Sequence, residues 1–182
     1  MLQSFRLLIV TGLAALTSAC FVSDEALFDL TPGLEPVTPG LYMAYSFDAD
    51  GVVDEEDIWR GEIDYDADGY LHSDTEDMPL EGAVFYPLSS DSWIIYNRGD
   101  EGNYLYVLVF RYPDGRIFGH LPECSGLSNA ERERFGLSLG EHGRCQVYHL
   151  GRLVEIMETY IARNHNSMRA GTVMVPMAEP ID

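Results

Sequence analysis

Between residues 41 and 121 the chain runs in short stretches of alternating apolar and polar positions, broken by turns rich in Gly and Asp. Ile58 to Tyr65 is the clearest: Trp59, Ile63 and Tyr65 fall on one face, Arg60, Glu62 and Asp64 on the other. That period of two marks an antiparallel strand with one face buried. Leu41–Phe47, Tyr70–Ser73, Gly82–Leu88, Trp93–Asn97 and Tyr104–Tyr112 read as further strands. Tyr104 to Phe110 is apolar on both faces, which places it centrally in a sheet. Pro113-Asp114-Gly115 predicts a hairpin returning through Arg116 to Leu121. Six or seven sequential strands joined by short turns make an antiparallel meander, curved or partly closed so that its edges are protected.

The period then lengthens. Ser128-Asn129-Ala130-Glu131 fits a capping box, so a short helix is expected from there toward Gly136. A brief strand, Cys145 to Tyr148, precedes a helix whose apolar stripe is Leu153, Ile156, Met157, Tyr160 and Ile161. Thr172 to Val175 predicts a last edge strand, halted by Pro176. The fold class is therefore α+β, mostly β: an antiparallel β-meander, as a curved sheet or partial barrel, covered by a C-terminal amphipathic helix in one domain over residues 41–182.

Ahead of that domain, Arg6 precedes the apolar run Leu7 to Leu16, which ends in Thr17-Ser18-Ala19-Cys20. Such a run is too short to span a bilayer and has the form of a secretory signal peptide. With a cysteine directly behind small residues, the segment resembles the lipobox of bacterial lipoproteins. The resemblance implies removal of residues 1–19, palmitate and other acyl chains on Cys20, and a membrane anchor gaining about 0.8 kcal/mol per buried methylene. Phe21 in the next position implies sorting to the periplasmic face of the outer membrane. Residues 20–40 hold three prolines and two Thr-Pro-Gly tripeptides, and read as a tether from lipid to domain, part of which packs through apolar Leu27, Phe28 and Leu30. Farther along, Tyr104-Leu-Tyr-Val-Leu, Asp114-Gly115 and Leu121-Pro-Glu-Cys124, with a second Cys before an amphipathic helix, are similar to small proteobacterial envelope lipoproteins. That likeness implies location and no particular activity.

Charge narrows the partners. The chain carries 30 acidic residues against 11 basic ones, all Arg, for a formal net charge of −19. From Asp48 to Glu81 there are 14 carboxylates and one Arg, a net of −13. Nucleic acid and anionic lipid headgroups are thereby excluded as ligands. The lobe reads as a solubilising surface, a divalent-cation site, or a docking face for a basic envelope protein; Asp54, Glu55, Glu56 and Asp57 are its candidate docking residues.

Two local patterns carry chemistry. Asp64-Tyr65-Asp66-Ala67-Asp68-Gly69-Tyr70 resembles the start of an EF-hand loop, with Asp64, Asp66 and Asp68 as carboxylate ligands and Tyr70 giving its carbonyl to a weakly held calcium. Thr75 stands where that loop needs a bidentate Glu, and an Asp-Gly hairpin turn accounts for the same residues. Beyond Cys20, Cys124 and Cys145 are the only cysteines. In an oxidising compartment they pair as a disulfide; with His142 and His149 they could instead hold zinc.

Enzyme motifs are missing: there is no Gly-x-Ser-x-Gly, His-Glu-x-x-His or phosphate loop, and no cofactor is called for. His72 and His120 fall at strand positions, as surface or core-edge residues. The expected function is binding, as an adaptor or structural envelope protein. The alternatives are an envelope-glycan hydrolase, which would need a cleft with two carboxylates and one raised pKa, or a binder of a small lipophilic ligand.

Overall fold

The computed structural model describes residues 20–31, 33–47, 51–98, 102–140 and 143–178, so the expected signal peptide lies outside the described residues. The strands are β1 (Phe21–Ser23), β2 (Gly40–Phe47), β3 (Val53–Tyr65), β4 (Leu71–His72), β5 (Val84–Ser89), β6 (Ser92–Arg98), β7 (Tyr104–Arg111), β8 (Ile117–His120), β9 (Cys145–Gln146) and β10 (Thr172–Pro176). Two α-helices, α1 (Asn129–Phe135) and α2 (Leu150–Asn164), follow the meander. The strands expected between 41 and 121 are thus present, and the class is α+β with mostly β.

All ten strands belong to one curved sheet in the order β4-β3-β2-β10-β8-β7-β1-β9, with β6 on the other edge of β7 and β5 beside β6. Near the two ends of the meander, Gly82 N–H donates to Leu71 O at 2.8 Å, drawing the entry to β5 against β4. The result is a partial barrel whose concave face is filled by Trp59, Ile63, Phe85, Trp93, Ile95 and Met174. The opposite face of β5, β6 and β7 carries Val84, Ile94, Tyr106 and Leu108, and α2 covers it with Leu153, Ile156, Met157 and Tyr160. Because β7 has a core on each side, its run of apolar residues shows no alternation.

Local signals at the helices hold. Ser128 Oγ accepts from Glu131 N–H while the Glu131 carboxylate accepts from Ser128 N–H, closing the capping box. Gly136 ends α1 at φ 68°, a left-handed conformation that Gly adopts without steric cost.

Three expectations need correction. β10 is no edge strand: it pairs with β2 on one side and β8 on the other, joining the first and last strands of the meander. The sheet is not wholly antiparallel, because β1 runs parallel to β9. And residues 20–40 are packed beyond the expected contacts of Leu27, Phe28 and Leu30. β1 sits between β7 and β9 with Phe21 fully buried, and Ser23 Oγ lies 2.6 Å from Tyr106 OH. Phe28 packs on the rings of Tyr86, Tyr96 and Tyr106. Val37 is pinned at both backbone groups by Tyr65 OH, at 3.0 and 3.1 Å, and burial pushes that phenol up to about 12. The prolines suggest a solvated spacer, but burying several apolar side chains, at about 1.5–3 kcal/mol each, outweighs the entropy of leaving it loose.

The end of α2 is fastened by a buried relay. His120 Nδ1 lies 2.7 Å from Arg169 O, its Nε2 lies 3.1 Å from Tyr160 OH, and Glu123 N–H donates to the same hydroxyl. A carbonyl only accepts, so Nδ1 carries the proton and Nε2 accepts from Tyr160; the neutral ring satisfies every group. Burial holds the His120 pKa below 6.5, against the pull of the Arg169 carbonyl and Glu123. The unfolded chain therefore takes up a proton first, so this stability is complete above about pH 6.5 and is lost as pH falls through the folded-state value. His72 has the opposite sign: its hydrogen bond to Glu81 raises its pKa, and that contribution is lost as pH rises, but the pair is exposed and screened. We expect the melting temperature to fall on acidification below about pH 6.5, with a shallower slope in His120→Asn; parallel slopes in the two proteins would refute the assignment.

Candidate functional site

The acidic lobe is built on β3, β4 and their connections. Trp59, Gly61 and Ile63 turn inward, so Arg60, Glu62 and Asp64 must point out. Gly61 is required here: a Cβ would come within 2.5 Å of the Trp59 ring. That ring donates from Nε1 to Glu76 O at 3.1 Å, holding the acidic loop 73–77 over the strand. Before Trp59 the strand has no buried residue among those described. Asp54, Glu55 and Asp57 are exposed there, beside Val52 and Val53 at 60% and 36% exposure, while the Glu56 side chain lies outside the described set. Asp54, Glu55 and Asp57 are thus exposed on the first part of β3, next to the exposed Val52 and Val53. Basic groups on the lobe are few: Arg60, and His72, which leans on Glu81 at 2.8 Å and Asp74 at 3.6 Å.

The Asp-rich loop between β3 and β4 is bonded as a hairpin turn. Asp66 Oδ1 accepts from Asp68 N–H and Tyr70 N–H, at 3.0 and 2.9 Å. Tyr70 O accepts from Asp66 N–H, and Asp64 Oδ1 accepts from Tyr65 N–H. Among the described residues no group of three or more His, Cys, Asp or Glu is placed to hold a metal ion. The calcium reading rests on the sequence pattern alone.

Cys124 and Cys145 form a disulfide with Cα atoms 5.9 Å apart, which takes from a zinc site both of its thiolates. Cys20 is buried, and its carbonyl accepts from Cys145 N–H at 2.9 Å. The start of β1 is therefore fixed to the disulfide-bonded strand β9.

A cleft of about 410 Å³ opens elsewhere, where the β5–β6 turn, the β7–β8 hairpin and the end of α2 meet. Phe110 and Phe118 line it with ring centres 5.9 Å apart, and Tyr112 stands 6.4 Å from Phe118. Ser89 and Ser92 place their hydroxyls 2.7 Å from each other on one wall. Arg111 lies 5.3 Å over the Trp93 ring and donates to Asp91 Oδ1 at 3.2 Å. Hydrogen bonds from Ser90 and Arg111 hold the Asp91 carboxyl below its ordinary range. Sequence reading missed this cleft. Its residues come from four separate segments, and each alone has the appearance of an ordinary turn or strand end.

Comparison of the chain with protein-family models, with curated proteins and with solved structures yields no match.

Proposed function

We propose that this is a lipid-anchored envelope protein, held through Cys20 at the periplasmic face of the outer membrane, that acts by docking a basic protein partner on the acidic lobe. The observation that carries the reading is the start of β3, where Val52 and Val53 are exposed next to the exposed Asp54, Glu55 and Asp57. Apolar contact area within a charged rim is the composition of a specific interface. A second copy of this chain would bring like charges together on that strand, so the partner must be basic.

Position supports the same reading. Because β1 and β8 share one edge of β7, three strand spacings, about 14 Å at the usual strand spacing, separate β1 from β3 across the sheet. Since β1 starts directly after Cys20, the lipid leaves the domain without a free spacer. The body then rests near the lipid surface and carries its acidic lobe on other strands than the anchor strand.

The hydrolase alternative finds little support. In the cleft Asp91 is the one carboxylate among the lining residues, and its pKa is lowered, whereas a general acid needs a raised one.

Crosslinking the lipidated protein in its native envelope tests the proposal. A captured basic protein is expected, with capture reduced about tenfold or more in Asp54→Asn/Glu55→Gln/Asp57→Asn and weakened by salt. Capture that ignores both changes would remove the acidic lobe from the function. Labelled palmitate is expected on the native protein and not on Cys20→Ala; equal labelling would remove the anchor.

A further inference from the structure

We propose that the cleft beside the end of α2 binds the ring of a neutral saccharide. The charges in the cleft exclude most other ligands. Asp91 and Arg111 are bonded to each other, with Asp91 Oδ2 accepting from Ser90 Oγ and Arg111 donating also to Pro36 O and Ser90 O. A cationic or anionic ligand meets a pair whose opposite charges offset each other and would compete with a bond already made, whereas a neutral hydroxyl can use the lone pairs left open.

The remaining surface has two kinds of wall. Phe110, Phe118 and Tyr112 form an aromatic wall whose rings meet one another edge to face, and a ring face left open in such a wall attracts the weakly positive C–H groups of a sugar ring. The Ser89 and Ser92 hydroxyls bond each other, yet each has one donor and two lone pairs, so the pair keeps capacity for further partners. A carboxylate offers about four lone-pair sites, and Asp91 has only two occupied by the bonds named above. A purely lipophilic ligand would strip water from these groups and return nothing. A pyranose has an apolar C–H face and a hydroxyl edge, and so answers both walls.

Size and rigidity agree. At about 410 Å³ the cleft lies near the lower end of ligand clefts, about 300–1,000 Å³, as suits one or two sugar rings. Its outer lip is the chain beyond α2, where His165 and Met168 line the opening. Met168 N–H donates to Asn164 O, and Arg169 O accepts from His120, so the lip is fastened to α2 and β8 before any ligand arrives. With a single carboxylate in reach, the sugar is bound and not cleaved. This inference stands apart from the acidic lobe and the anchor.

Saturation-transfer NMR and intrinsic fluorescence, with maltose and N,N′-diacetylchitobiose as probes of the full chain, provide the test. At least one disaccharide is expected to bind saturably with a Kd on the order of 1 mM. Tyr112, 46% exposed, is replaceable with little risk to the fold, and Tyr112→Ala should weaken binding roughly five- to tenfold. Tyr148→Ala, 69% exposed and outside the cleft, should leave it unchanged. Should Tyr112→Ala lower the melting temperature, Ser89→Ala probes the polar wall in its place and should weaken binding as well. No saturable binding of either disaccharide, an undiminished affinity in both cleft variants, or tighter binding of glucosamine or glucuronate than of glucose would overturn the proposal.

Discussion

Replacing Phe21 by alanine is expected to lower the unfolding free energy by about 3–5 kcal/mol, the cost of removing a large aromatic ring from a closed core. The ring has no solvent exposure and meets Tyr160 edge-on at 6.4 Å, where α2 crosses the sheet. Denaturant unfolding followed by the fluorescence of the two buried tryptophans, Trp59 and Trp93, measures it directly. Thr31→Ala, at an exposed position of the same segment, should change stability by less than about 0.5 kcal/mol. A tether would give near-zero values for both substitutions. A small effect at Phe21 would therefore restore the spacer and detach β1 from the domain.

The second large effect belongs to the disulfide. Cys124→Ala with Cys145→Ala should destabilise by about 3 kcal/mol, from loop closure over a sequence separation of 21. Both positions are fully buried beside Leu127, Phe135 and Val147, so lost packing adds to the loss. The damage should also be directed. Cys145 N–H donates to Cys20 O and Val147 N–H to Val22 O, so freeing β9 releases the outer edge of β1. Faster hydrogen exchange at these two amides than in β6 or β7 is the expected signature. A reductant should lower the melting temperature of the native protein and leave the double variant unchanged. Uniform acceleration across the sheet would show that β9 does not hold β1 in particular.

Both predictions concern segments that sequence reading handled unevenly. The capping box at Ser128, the apolar stripe of α2, the hairpin at Pro113-Asp114-Gly115 and the alternation of β3 were legible because each signal lies within a few residues. The Cys124–Cys145 pairing was legible by count. β1 was not: three residues, Phe21 to Ser23, are too few to show a period, and the prolines after them spoke for a spacer. β10 was recognised as a strand, but its position between β2 and β8 depends on how far the meander curls.

The same division runs through the candidate sites. The sequence by itself determined the acidic block from Asp48 to Glu81, the cysteine directly behind small residues and the α+β class, since charge, motif and period are properties of neighbouring residues. Only the tertiary structure decided that Asp54, Glu55 and Asp57 are exposed beside Val52 and Val53, that the Asp66 carboxylate closes a turn, and that Phe110, Ser89 and Met168 meet around one cleft. Those outcomes follow from which strand ends come together when two apolar faces are buried at once, and the spacing of residues along the chain does not encode that meeting.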